Sequence, residues 1–151
     1  PDRADTEFAD MRAAYDALDD AMKDRIEELR AEHSIWYSRA LGGMSDPGPD
    51  VKATRPPAVH RLVQVHPRTG RKSLCLASHA SHIVGWPPGE GRRLLDDLTA
   101  HATQPEFVFR HQWHAGDVVM WDNQQTMHRG TPFDDTLYPR DMRRVTVLES
   151  G

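Results

Sequence analysis

The stretch WDNQQTMHRGTPFDDTLYPRDMRR, from Trp121 to Arg144, sets one histidine, His128, between a Trp-Asp-Asn turn and three arginines, Arg140, Arg143 and Arg144. The loop through Pro132 and Pro139 separates the expected strands DVVMWD and MRRVTVL. If 140–148 is extended, Arg140, Met142, Arg144 and Thr146 share one face, while Arg143, Val145 and Val147 share the other. Two guanidinium groups then line one interior surface. Like charges are buried at high cost unless anions meet them. Two readings stay open on spacing alone: a pair that receives acidic ligands, and an interior salt bridge with Asp122 or Asp141.

Outward from this stretch, short apolar or alternating runs recur with turn signals between them. VHRLVQVH and KSLCLAS flank the PRTGR turn and predict a hairpin; EFVFRHQW, DVVMWD and MRRVTVL predict further strands. A helix is expected from near Pro87, carrying Leu94, Leu95 and Leu98. From Thr6 to about Arg30, Phe8, Met11, Tyr15, Leu18, Met22, Ile26 and Leu29 fall at helical spacing, which predicts two short helices, the second capped by an aspartate. GGMSDPGPDVKATRPP, residues 42–57, is expected to be a long irregular loop or a lid. The pattern favours an antiparallel sandwich or barrel with helices packed outside.

Composition narrows the function classes. The 151 residues, 38% hydrophobic and 28% charged, suit one domain or a piece of one. A net charge of −4, from 23 acidic and 19 basic residues, argues against a general nucleic-acid binder. The basic residues are nearly all arginine, whose planar fork pairs bidentately with carboxylates, which points to anionic small molecules. Cys75 is alone, so no internal disulfide forms, and its apolar surroundings predict a buried, inert thiol in a reducing cytoplasm. No run is long and apolar enough to span a membrane, and PDRADTEF does not read as a signal peptide.

Nine histidines invite a search for metal ligands. His79/His82 and His111/His114 have helical i, i+3 spacing but lie in or beside expected strands, where that spacing sends side chains to opposite faces. HExxH is absent, and one cysteine excludes a cysteine-rich zinc site.

WDNQQTMHRG, PRDMRRVTV, DTEFADMRAAYDAL from Asp5 and EHS at Glu32–Ser34 together closely resemble the iron(II)/2-oxoglutarate-dependent dioxygenases of the taurine dioxygenase superfamily. The branch most resembled acts on 2,4-dichlorophenoxyacetate. The resemblance implies a double-stranded β-helix (jelly roll), mainly β with flanking α-helices, and an iron held by two histidines and a carboxylate with positions open for 2-oxoglutarate and molecular oxygen. Carried over by position, it implies that His128 is an iron ligand. Arg140 and Thr6 then hold the far carboxylate of 2-oxoglutarate, Trp121 lies near the metal, and Arg144 binds the acidic group of a small substrate. The implied reaction hydroxylates an aryloxyalkanoate while 2-oxoglutarate is decarboxylated to succinate.

The family's other two ligands form an H-x-D motif upstream of the threonine matched by Thr6. No histidine here has an acid two positions on: His33 is followed by Ser34-Ile35, and the rest fare alike. The chain is therefore expected to be the C-terminal portion of a single catalytic domain, inactive alone. The alternatives are a sulfonate or alkyl sulfate dioxygenase of the same superfamily and a non-catalytic remnant that serves as a binding domain. Self-association into a homo-oligomer is also allowed for.

Overall fold

The computed structural model describes residues 4–134, 136–137 and 140–147. The chain opens with strand β1 (Thr6–Asp10), followed by helices α1 (Met11–Asp16) and α2 (Asp20–Ile26) and strand β2 (Arg30–His33). Helices α3 (Ile35–Leu41) and α4 (Pro49–Ala53) lead to β3 (Ala58–Arg61), β4 (Val63–Val65), β5 (Lys72–Leu74) and β6 (Ala80–Ile83). The long helix α5 (Pro88–Ala102) and a 3-10 turn (Pro105–Phe107) precede β7 (Val108–His111) and β8 (Thr126–Gly130). Two three-stranded sheets result, in the orders β7-β1-β8 and β3-β2-β6, with β4-β5 as a separate hairpin. All of these pairings are antiparallel.

The first expected helix is corrected at its start: Thr6–Asp10 is a strand paired on both sides, and helix begins only at Met11. Asp10 makes the switch. Its carboxylate accepts from the backbone N–H of Arg12 and Ala13, satisfying two of the donors that a helix start leaves open. The Arg12 guanidinium clasps the same carboxylate, with Nη2 at 2.9 Å, and holds Asp10 below the usual carboxylate range. Asp19 caps α2 through Met22 N–H at 2.7 Å, as its position before the second apolar series implied.

The hairpin forms where expected, its turn closed by Gly70 at φ 67, a conformation that costs glycine nothing. Helix α5 buries Gly91, Leu94, Leu95, Leu98 and Ala102, one stripe at i, i+3, i+4 and i+7 spacing. Each fully buried leucine contributes roughly 1.5–3 kcal/mol by area. Gly91 lets the helix lie close on β6, for a Cβ there would stand 3.0 Å from the Ile83 backbone nitrogen. The core these elements enclose includes Met11, Ala14, Ile26, Leu62, Leu74, Ile83 and Leu95.

Three further expectations are corrected. Residues 42–57 are not wholly irregular, since they contain α4, which Trp36 ties down by donating from Nε1 to the carbonyls of Lys52 and Arg55. DVVMWD and the described part of MRRVTVL form no strand; Leu148 lies outside the described residues. A strand needs a partner for its ladder, and no described strand pairs with either segment, so Val118 and Met120 are 94% exposed and Val145 and Val147 are 89% and 88% exposed. Arg140 and Arg144 accordingly lie at exposed positions and not on a buried strand face. Among the described residues, no helix is long and apolar enough to cross a membrane.

Candidate active site

β1 is the central strand of its sheet and carries the site by alternation. Residues directly opposite one another in an antiparallel pair project to the same face. Thr6 pairs with Gly130 and Phe8 with His128, so Thr6, Phe8 and His128 share a face. Ala9, opposite Met127 and Val108, turns the other way, and all three pack in or against the core.

On the first face three rings close together. Trp121 lies 5.0 Å from the His128 ring and 5.2 Å from Phe8 between centroids, with Phe8 and His128 6.1 Å apart. Partial burial, and after it the positive charge of Arg144, hold the His128 imidazole below its ordinary pKa of 6.5. Near neutral pH the ring is therefore uncharged, the form that offers a lone pair to a metal.

Thr6 sits a short way along the same face. Its Oγ1 accepts from Trp113 Nε1 at 2.9 Å and, at a long 3.5 Å, from Arg140 Nη2. With both lone pairs engaged, the hydroxyl hydrogen points elsewhere and is left to donate. Gly130 gives the guanidinium room, since a Cβ there would stand 4.0 Å from Arg140 Nη1. Other cations of this sheet are neutralised: Arg129 meets Glu7 at 2.7 Å and Arg110 meets Asp5 at 2.8 Å. Asp122, one of the two carboxylates considered for an interior salt bridge, pairs instead with His66. Among the described residues neither Arg140 nor Arg144 has a carboxylate partner. A guanidinium and a donating hydroxyl together make a receptor for one carboxylate end of a small molecule.

A cavity of about 1300 Å³ opens on the other face of this sheet, where Glu7, Ala9, Met127 and Arg129 line it together with Thr126 and His128. Its far wall holds three histidines whose association the sequence did not reveal. His33 from β2 lies 5.2 Å from His60 on β3 and 5.1 Å from His79, in the turn before β6. Burial first, and then the charges of His79 and His60, lower His33 to about 4. His79 is lowered as well, by burial and by His60. The three come from separate elements, so no local spacing announces them; the nearest signal was EHS at Glu32–Ser34. His82 faces elsewhere, against Ser81 and Glu32. His111 and His114, expected on opposite faces, both reach Asp117 Oδ2, at 3.0 and 3.7 Å, because β7 ends at His111 and the chain turns back.

Cys75 is half-buried and its thiol is pushed up by burial, in keeping with an inert role. Among the described residues, no group of three or more His, Cys, Asp or Glu side chains has the geometry to hold a metal ion. His128 fits one ligand position of a metal site; the described residues do not supply a complete one.

The chain belongs to the family described as Taurine catabolism dioxygenase TauD, TfdA family, whose pattern matches residues 4–146. It is 48% identical to the Alpha-ketoglutarate-dependent 2,4-dichlorophenoxyacetate dioxygenase of Cupriavidus pinatubonensis, a match covering 100% of this chain and 52% of that protein. To the (S)-phenoxypropionate/alpha-ketoglutarate-dioxygenase of Sphingobium herbicidovorans it is 44% identical, over 87% of this chain and 48% of that one. The crystal structure of AAD-2 in complex with Mn(II) and N-oxalylglycine superposes with a TM-score of 0.90 at 54% identity, covering 95% of this chain and 56% of that one. The fold is thus the mainly β, helix-flanked dioxygenase fold that the motifs implied, and the chain spans about half the length of the relatives it matches.

Proposed function

We propose that this chain is the C-terminal portion of an iron(II)- and 2-oxoglutarate-dependent dioxygenase that hydroxylates a small acidic substrate of the aryloxyalkanoate class with molecular oxygen. His128 supplies one metal ligand, and residues outside this chain supply the others. Arg140 and Thr6 receive the far carboxylate of 2-oxoglutarate, Trp121 covers the metal side of His128, and Arg144 holds the acidic group of the substrate. The observation that carries this reading is that Thr6 and His128 share one sheet face, with the Arg140 guanidinium 3.5 Å from the Thr6 hydroxyl and, among the described residues, without a carboxylate partner.

Two further observations support it. N-oxalylglycine, bound in AAD-2, differs from 2-oxoglutarate by an N–H in place of one methylene and presents the same two carboxylates. Arg144 lies close enough for its charge to act on His128, which suits a residue that fixes a substrate beside the metal. The anion receptor orients 2-oxoglutarate, and Arg144 orients the C–H bond to be oxidised.

The test separates the roles in a complete enzyme containing this segment. His128→Ala is expected to abolish succinate formation while the protein stays folded. Losing a charge-assisted pair costs about 1.5–3 kcal/mol, so Arg140→Ala should raise the apparent KM for 2-oxoglutarate by roughly 10- to 100-fold. Arg144→Ala should instead raise the KM for the acidic substrate and uncouple oxygen use from product. Normal succinate production by His128→Ala sinks the assignment, and a common effect of both arginine variants on 2-oxoglutarate alone sinks the division of roles.

A further inference from the structure

The turn that delivers Trp121 to His128 is held from outside the site by a buried histidine, His66, at the end of β4. His66 Nδ1 accepts from the backbone N–H of Arg68 at 3.3 Å and of Thr69 at 3.2 Å. Backbone N–H groups only donate, so Nδ1 carries no proton and the neutral ring must carry its proton on Nε2. That Nε2 stands 3.2 Å from Asp122 Oδ2.

Asp122 in turn organises the segment between Trp121 and β8. Its Oδ1 accepts from Gln124 N–H at 2.8 Å, its Oδ2 from Gln125 Nε2 at 2.9 Å, and its carbonyl from the Thr126 hydroxyl at 2.6 Å. The Trp121 indole is fixed to the same turn by donation to Asn123 Oδ1 at 2.8 Å. Ser73, on β5, donates to the carbonyl of Gln124, and Met11 N–H donates to that of Gln125. Those two anchors seat the downstream end of the turn. The described residues offer one side chain from elsewhere in the fold that grips Asp122 itself, and it is His66.

We propose that His66 is a positioning residue for the His128 site: through the close contact of its Nε2 with Asp122 it sets the orientation of the 121–125 turn and so keeps the Trp121 ring packed on the His128 imidazole. The hairpin turn fixes the tautomer, and the tautomer places the ring N–H on the nitrogen that meets Asp122. The meaning of this for catalysis rests on the reading of His128 as a metal ligand; the geometric claim does not.

The experiment is histidine-ring NMR on the 151-residue chain. Wild type is expected to show His66 as the Nε2–H tautomer and to show the His128 ring protons displaced by the Trp121 ring current. His66→Leu should lose most of that displacement, and His66→Gln, whose amide restores a donor towards Asp122, should recover it. Recovery by Gln is what a mere space-filling role would not produce. Should His66→Leu fail to fold, Asp122→Asn, which weakens the acceptor while keeping its shape, is expected to reduce the displacement in its place. An Nδ1–H tautomer for His66, unchanged His128 resonances in folded His66→Leu or Asp122→Asn, or failure of Gln to restore them each overturns the proposal. A complete enzyme that keeps turnover without His128 would overturn the functional reading and leave these resonances as stated, so the two failures are distinguishable.

Discussion

Protonating His33 would put a charge on a ring whose buried Nε2 has no hydrogen-bond partner among the described residues and whose neighbours include two more imidazoles. Its folded value of about 4 lies below the ordinary 6.5, so between these values the unfolded chain binds the proton more readily than the native one. The sign follows: this group's contribution is complete above pH 6.5, is lost as pH falls towards 4, and loses nothing more beneath that. His79 is shifted in the same direction, by burial and by His60, so its contribution too is lost as pH falls below 6.5. Urea midpoints measured from pH 7 to 4 should therefore fall, and His33→Leu should flatten the fall. An unchanged acid profile in that variant would exclude the histidine trio as its source. Single residues differed in how visible they were. Thr6, His128 and Arg140 carry a motif, whereas His33, His60 and His79 are gathered only by the folding of β2, β3 and the turn before β6.

Secondary-structure elements were legible where one period ran unbroken. Helix α5 showed its leucine stripe, and the β4-β5 hairpin showed alternation around a glycine turn. β1 was hidden because Phe8, Met11 and Tyr15 keep helical spacing across a strand-to-helix junction; Phe8 faces His128 while Met11 and Tyr15 enter the core. Asp10 was the overlooked signal, a helix cap inside an apparently continuous helix. At this scale α5 offers a paired test. An added methyl at Gly91 meets Ile83 at 3.0–3.3 Å, including backbone that cannot rotate away, while one at Gly89 meets nothing within 4 Å. Overpacking costs about 1–3 kcal/mol, against a helical gain of about 1 kcal/mol for Gly to Ala. Thermal unfolding should show Gly91→Ala lowering Tm by several degrees and Gly89→Ala leaving it equal or slightly higher. A stable Gly91→Ala would mean that α5 does not lie so close to β6.

For the molecule as a whole, architecture and family were within reach of the motifs, and the extent of the site was not. DVVMWD and MRRVTV carry the period of strands, yet their apolar side chains face outward, because periodicity states which face an element would bury and not whether a partner is at hand. Exposed apolar segments without ladders favour association. With His128 as its one proposed metal ligand, the 151-residue chain is expected to release no succinate from 2-oxoglutarate in the presence of iron(II). A longer chain that adds a histidine and a carboxylate upstream should do so and should remain dispersed at concentrations where the short chain associates. Iron-dependent succinate release by the short chain alone would require ligands from within it and a new assignment of the site.

The two-sided pairing of β1 also limits how this family can vary. Between Thr6 and Asp10, Thr6 and Phe8 turn to the face of His128, Glu7 joins the outer ion pair, Ala9 enters the core and Asp10 caps α1. Substitutions there can be tried one at a time, each felt on a single face. A change of length cannot: one inserted or deleted residue would rotate Glu7 into the place of Thr6 and set a carboxylate, in place of a hydroxyl, beside the Arg140 guanidinium. Over evolutionary time β1 is thus free to drift in composition but not in residue count, and engineered insertions belong in the 42–57 segment instead.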